Sequence, residues 1–183
     1  MKKIVLLGDS IRLIGYGKKV EEALRAEGHQ VWQPDTNCRF VKHTLRMLFD
    51  EQENIKNADV IHWNNGLWDM CDLFGDGPFS SIEEYVANMT RIADLLFTFG
   101  KKVIFATTTP THPECPHHEN ARIAKYNAAL VPELERKGVL INDLYALMEN
   151  DIEKGICEDK IHLSEWGKEL CGDQVLQRIR EVI

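Results

Sequence analysis

The chain has 183 residues, which sets an expectation of one domain spanning residues 1–183. With 44% hydrophobic and 28% charged residues, the composition excludes a collagen, a disordered acidic tail and a small disulfide scaffold. A net charge of −7 gives no electrostatic footprint for nucleic acid, and no apolar run approaches the roughly 20 residues of a membrane span.

Ile4–Leu7 is the first apolar run. It is too short for the core of a secretory leader before Gly8-Asp9 interrupts it, so it reads as a strand. Further β-rich runs follow at Gln30–Gln33, Asp59–Trp63, Lys102–Ala106 and Val139–Asn142. Helical spacing fills the intervals. One helix is expected from about Lys18 to Glu27, with Gly28 as its stop, and a second after Val41 with Leu45 and Leu48 on one face. The third begins at Ser80-Ser81, where Glu83 and Glu84 complete a capping-box pattern, and runs to Gly100 as a terminating glycine. A fourth covers about Glu119 to Lys137, where Pro132 is expected to kink or restart it. The last carries Trp166, Leu170, Leu176, Ile179 and Ile183. Strands alternating with helices imply right-handed βαβ units and a three-layer α/β/α fold on a five-stranded parallel sheet. The five cysteines (38, 71, 115, 157 and 171) are scattered and odd in number, which suits reduced thiols in a cytoplasmic protein.

In such sheets ligands gather at the carboxyl ends of the strands, so the residues following each strand carry the functional expectation. The first strand ends in Gly8-Asp9-Ser10. A serine there can present its hydroxyl beside backbone N–H groups that stabilise an oxyanion, although Asp-Ser is also an ordinary turn or helix cap. Arg12 stands where a GxSxG nucleophile elbow would have its last glycine, which disfavours the common α/β-hydrolase fold. Near the C-terminus stands Asp159-Lys160-Ile161-His162. An aspartate three residues before a histidine can hold imidazole Nδ1 and leave Nε2 free to take a serine proton; the same spacing also suits a solvated loop.

Gly8-Asp9-Ser10 after the first strand, with Asp159-x-x-His162 before the last helix, resembles the SGNH (GDSL-type) hydrolases along the whole chain. The resemblance implies a flavodoxin-like fold and a serine esterase needing no cofactor and no metal. Ser10 would be the nucleophile, His162 the general base and acid, and Asp159 its partner. Ser10 N–H would be one of three oxyanion donors. The family's second block lacks its glycine here and reads Asp35-Thr36-Asn37-Cys38, which makes the Cys38 N–H a candidate. The third block reads Asn64-Asn65-Gly66-Leu67-Trp68-Asp69, with Trp68 in the asparagine slot. Asn64, or else Asn65, is then the expected side-chain donor. The expected substrate is a small-molecule ester of an acetyl or other short acyl group, with carbohydrate among the candidate carriers. The alternative is a non-catalytic domain that binds an acylated ligand.

Three other features compete for attention. His112-Pro113-Glu114-Cys115-Pro116-His117-His118 has metal-ligand residue types but two stiffening prolines, and reads better as a substrate-lining loop. Gly15-Tyr16-Gly17-Lys18-Lys19 lacks a phosphate-loop frame and reads as a flexible connection. Asp143 reads as a helix cap, Asp69 as either a turn residue or site support, and Trp63 and Trp68 as core or a sugar-stacking wall.

Overall fold

The five β-rich runs become five strands in the computed structural model, which describes residues 1–183. They are β1 (Lys3–Leu7), β2 (Gln30–Trp32), β3 (Ala58–Trp63), β4 (Gly100–Ala106) and β5 (Leu140–Asn142). All pair in parallel, in the order β2-β1-β3-β4-β5. Ile4 to Leu7 of β1 and Val60 to Trp63 of β3 are buried, as central strands covered on both faces must be. A π-type segment, Ile11–Tyr16, leads into α1 (Gly17–Ala26). It is followed by α2 (Val41–Asp50), α3 (Gln52–Ile55), α4 (Leu67–Met70), α5 (Ile82–Phe99), α6 (Asn120–Arg136), α7 (Leu144–Met148), α8 (Ile152–Gly155) and α9 (Glu165–Arg180). Helix α1 packs on α9, while α2 and α6 pack on α5, giving the outer layers. The sheet order reverses between β1 and β3. Open sheets of this kind have their crevice at that point.

Side-chain caps start three of the helices. Ser81 Oγ accepts from Glu84 N–H, as its capping-box position predicts. Asp143 accepts from Ala146 N–H in its expected role, and Ser164 Oγ accepts from Gly167 N–H at the head of α9. Two expectations change. Helix α6 runs unbroken through Pro132, because Pro132 and Ala128 both face solvent, where water can take the carbonyl that proline leaves unpaired. Gly100 is extended (φ −137°, ψ 160°) and opens β4, so it is no left-handed cap. Its requirement is steric: a Cβ there would stand 2.7 Å from Ile61 Cδ1.

The Gly100 contact is testable by a double-mutant cycle in urea unfolding. Gly100→Ala should cost about 1–3 kcal/mol through overpacking, and Ile61→Val about 0.5–1.5 kcal/mol. The double variant should lose less than the sum, because valine removes the nearer of the two Ile61 atoms that the new Cβ meets, Cδ1 at 2.7 Å, although Cγ1 at 2.9 Å stays.

Candidate active site

Strand β1 delivers Gly8, Asp9 and Ser10 into the crevice. Gly8 is required by close approach, since a Cβ would lie 2.0 Å from Asn64 Oδ1. Asp9 Oδ1 accepts from Ile11 N–H at 2.9 Å and from Asn64 Nδ2 at 2.7 Å, and its carbonyl accepts from Leu13 N–H at 3.0 Å. These bonds turn the chain, so Ser10 sits at the head of the helical segment in helical geometry (φ −63°, ψ −26°). Asp9 is buried. Burial pushes its carboxyl above the usual range, and the Ile11 N–H, Asn64 and Arg12 offset part of that.

Arg12 is 1% exposed. Its guanidinium donates to Gly8 O at 3.2 Å, Pro34 O and Thr36 O at 2.7 Å each, and Gln33 Oε1 at 3.1 Å. It thus ties the serine turn to the segment after β2. Within the Gly15–Lys19 stretch Tyr16 and Gly17 form a buried joint rather than a flexible connection. Tyr16 is fully buried and donates to Asn64 Oδ1 at 2.9 Å, and a Cβ on Gly17 would meet Arg12 O at 2.6 Å.

The Asp159–His162 turn precedes α9. Lys160 takes a positive φ of 70°, which tightens it. Asp159 Oδ1 accepts from Ile161 N–H and His162 N–H at 2.9 Å each, and Oδ2 lies 2.6 Å from His162 Nδ1. Burial raises the Asp159 carboxyl. The bonds from the His162 N–H, the His162 ring and the Ile161 N–H outweigh this and hold it well below the usual carboxylate range. An ionised Asp159 fixes Nδ1 as the protonated ring nitrogen and leaves Nε2 as the acceptor. The His112–His118 loop braces the turn: His112 N–H donates to Lys160 O at 2.9 Å, and Lys160 Nζ reaches Glu114 Oε2 at 2.7 Å.

Ser10 and His162 line one cavity of about 670 Å³. No hydrogen bond of 3.5 Å or less joins them; they share the wall. The residues expected to complete the oxyanion site stand elsewhere. The Cys38 N–H is committed to Gly8 O at 3.0 Å, and its buried Sγ accepts from Gly8 N–H. Asn64 spans Asp9 and Tyr16. Asn65 Nδ2 donates to Arg39 O at 2.8 Å, while its Oδ1 accepts from Trp63 Nε1 and Thr44 Oγ1. All three are buried outside the cavity wall. The amide that does line the cavity is Asn37, next to Cys38 in sequence. Its Oδ1 accepts from Arg39 N–H at 2.7 Å, which leaves Nδ2 uncommitted.

Comparison with known proteins meets this geometry from another direction. No protein-family model matches the chain. A curated relative, the GDSL esterase/lipase WDL1 of Oryza sativa subsp. japonica, is 25% identical over an alignment of 182 residues, covering 91% of this chain and 68% of the relative. In sequence the chain is similar to a GDSL-type (SGNH) hydrolase. The same fold recurs in a lipase/acylhydrolase from Enterococcus faecalis (TM-score 0.83, 21% identity, 99% and 96% of the two chains covered). It recurs in the acetyl xylan esterase AlAXEase (0.78, 18%, 97% and 99%) and in an acetylxylan esterase from Geobacillus stearothermophilus (0.76, 17%, 97% and 94%).

The third block, Asn64–Asp69, has a structural logic of its own. Gly66 has a φ of 152°, and a Cβ there would stand 2.1 Å from Thr108 Oγ1. Asp69 is buried and accepts from Val41 N–H at 3.0 Å and Ser80 Oγ at 2.7 Å, so it pins two loops of the crevice together. Burial pushes its carboxyl up to about 6, against the opposing bonds from Ser80 and Val41. Trp63 is core, packed at 4.8 Å on Phe105, whereas Trp68 stands in the cavity wall. The histidine-rich loop sends its side chains to separate partners. His112 Nε2 pairs with Glu153, and His118, in the cavity wall, places Nε2 2.9 Å from Leu67 O.

Two expectations follow. Asn64→Ala strands the Tyr16 hydroxyl and weakens the support of Asp9, so urea unfolding should show a loss of about 2–4 kcal/mol. Asn37→Ala, half-buried, should stay within about 1 kcal/mol of the parent. Asp69 binds its proton more tightly folded than unfolded, so its contribution is most favourable when protonated and declines as pH rises from about 4 to 6. Asp69→Asn can keep both bonds without the charge. Stability measured between pH 4 and 7 should therefore fall less with pH in Asp69→Asn than in the parent, by roughly 2 kcal/mol.

Proposed function

We propose that this chain hydrolyses a small carboxylic ester through a Ser10–His162–Asp159 triad. The observation that carries the reading is the shared cavity wall of Ser10 and His162, with His162 Nδ1 held at 2.6 Å by Asp159. Ser10 Oγ attacks the ester carbonyl while His162 Nε2 takes its proton, and Asp159 stabilises the imidazolium that forms. The tetrahedral oxygen is held by the Ser10 N–H and by Asn37 Nδ2, which replaces Cys38, Asn64 and Asn65 in that role. Collapse expels the alcohol with the proton from His162. Water, activated by the same imidazole, then releases the acid and restores Ser10. An acetyl or other short acyl ester is the smallest substrate that fits this scheme. The relatives named as acetyl xylan esterases support that chemistry and a carbohydrate carrier. No helix is long and apolar enough to cross a membrane, and the five unpaired thiols suit a reducing, cytoplasmic setting.

The test is turnover of p-nitrophenyl acetate combined with fluorophosphonate labelling located by mass spectrometry. The label should fall on Ser10. Ser10→Ala and His162→Ala should lose at least about 10³-fold in kcat, Asp159→Asn about 10²–10⁴-fold, and Asn37→Ala about 10²-fold with little change in KM. EDTA should leave the rate unchanged. Undiminished labelling of Ser10→Ala ends the assignment. Tight retention of an acylated ligand without turnover would favour the non-catalytic binding domain, and zinc-reversible inhibition by EDTA would redirect attention to the His112–His118 loop.

A further inference from the structure

We infer that the cavity at Ser10 receives an uncharged, unbranched aliphatic chain of the ester, well beyond the single methyl of an acetyl group. This rests on the esterase reading and adds the substrate class. A volume of about 670 Å³ lies within the range of sites that enclose whole small molecules, and an acetyl group would leave most of it to water. Nine of the thirteen lining residues are hydrophobic, and no lysine or arginine stands among them. Phe40 forms the centre of the wall, edge-on to both Trp68 and Phe79 at 5.2 Å.

The polar members of the wall leave little with which to recognise sugar hydroxyls. Ser10 and His162 belong to the reaction. His118 faces Leu67 O through Nε2 and Cys115 Sγ through Nδ1, and Asn37 Oδ1 is engaged by Arg39. Cys71 also lines the cavity. Burial pushes its thiol up, so it stays neutral and acts as apolar surface.

Exposure points the same way. Ile14 is 55% exposed, Leu73 and Phe79 47% each and Trp68 37%, and all four belong to this one wall. They account for half of the eight large hydrophobic side chains that the molecule leaves exposed. Apolar surface gathered beside a nucleophile is what a bound chain would remove from water. The chain can enter as the acyl part or as the alkyl part of the alcohol, and the two are separable by experiment.

The experiment uses the intact protein with two ester series below their micellar concentrations. One is p-nitrophenyl acetate, butyrate, hexanoate and octanoate; the other is ethyl, butyl, hexyl and octyl acetate, followed by acid release. In one series kcat/KM should rise about two- to fourfold per methylene while the cavity fills, mainly through KM. The acyl series rising assigns the cavity to the acid, the alkyl series to the alcohol. Phe79→Ser and Ile14→Asn, both at exposed wall positions, should flatten that rise. Melting temperatures check that each variant folds, and either one suffices if the other does not. A flat or falling profile in both series, with Ser10 still labelled by fluorophosphonate, overturns the chain-binding inference and leaves the esterase reading standing. No turnover of any ester and no label on Ser10 overturns the esterase reading and this inference with it.

Discussion

A buried guanidinium needs acceptors around it, and the need of Arg12 organises the crevice. Taking a charge out of water costs several kcal/mol unless hydrogen bonds replace the lost hydration. The two terminal nitrogens of Arg12 donate to three main-chain carbonyls and one side-chain amide, drawn from the end of β1 and from the segment after β2, while its buried Nε has no partner. Those acceptors must converge, and their convergence fixes where the serine turn lies relative to Asn37 and Phe40. Asp9 supplies the balancing carboxylate nearby, and the amide of Asn64 carries that constraint on to Tyr16 and the start of α1. Nucleophile turn, second loop and first helix form one buried polar unit.

Much of this was legible in the chain. The five parallel strands and the three layers followed from alternation of β-rich and helical runs, and Ser81 and Asp143 announced themselves as caps by spacing alone. The histidine turn was readable because its partners, Asp159 and His162, are three residues apart. Information failed where partners are distant. Asn64 looks like a free amide after a strand until Asp9, 55 residues away, and Tyr16, 48 residues away, take both ends of it. Cys38 is removed from service in the same way by Gly8, 30 residues away. Asn37 was passed over for its neighbour because spacing could not say which of the two faces the cavity. Gly100 carries a helix-stop signal in sequence, yet its need for hydrogen in place of Cβ comes from Ile61 on the adjacent strand.

The apolar wall was illegible for a related reason. Ile14, Phe40, Trp68, Leu73, Phe79 and Ile161 come from separate stretches of chain, and each alone reads as ordinary core. Only the return of the Asp159–His162 turn over the crevice brings Ile161 and His162 against the others. The sequence departs from the SGNH pattern it resembles at the same wall: Trp68 stands where an amide is usual, and the amide that lines the cavity is Asn37 of the second loop.

The two halves of the proposed catalytic apparatus rest on different foundations. Ser10 is anchored through buried bonds to the central strands, whereas His162 rides on a half-exposed turn whose bracing comes from a proline-rich surface loop. Beside Ser10, the Ile11 amide is held by Asp9 in a buried bond and should exchange slowly with solvent. The amides of Ile161 and His162 need only the short turn to come loose. Heat or mild denaturant would then separate His162 from Ser10 while the sheet is still intact. On the proposed triad, loss of activity on warming would precede unfolding of the sheet, because a four-residue turn and its brace give way first.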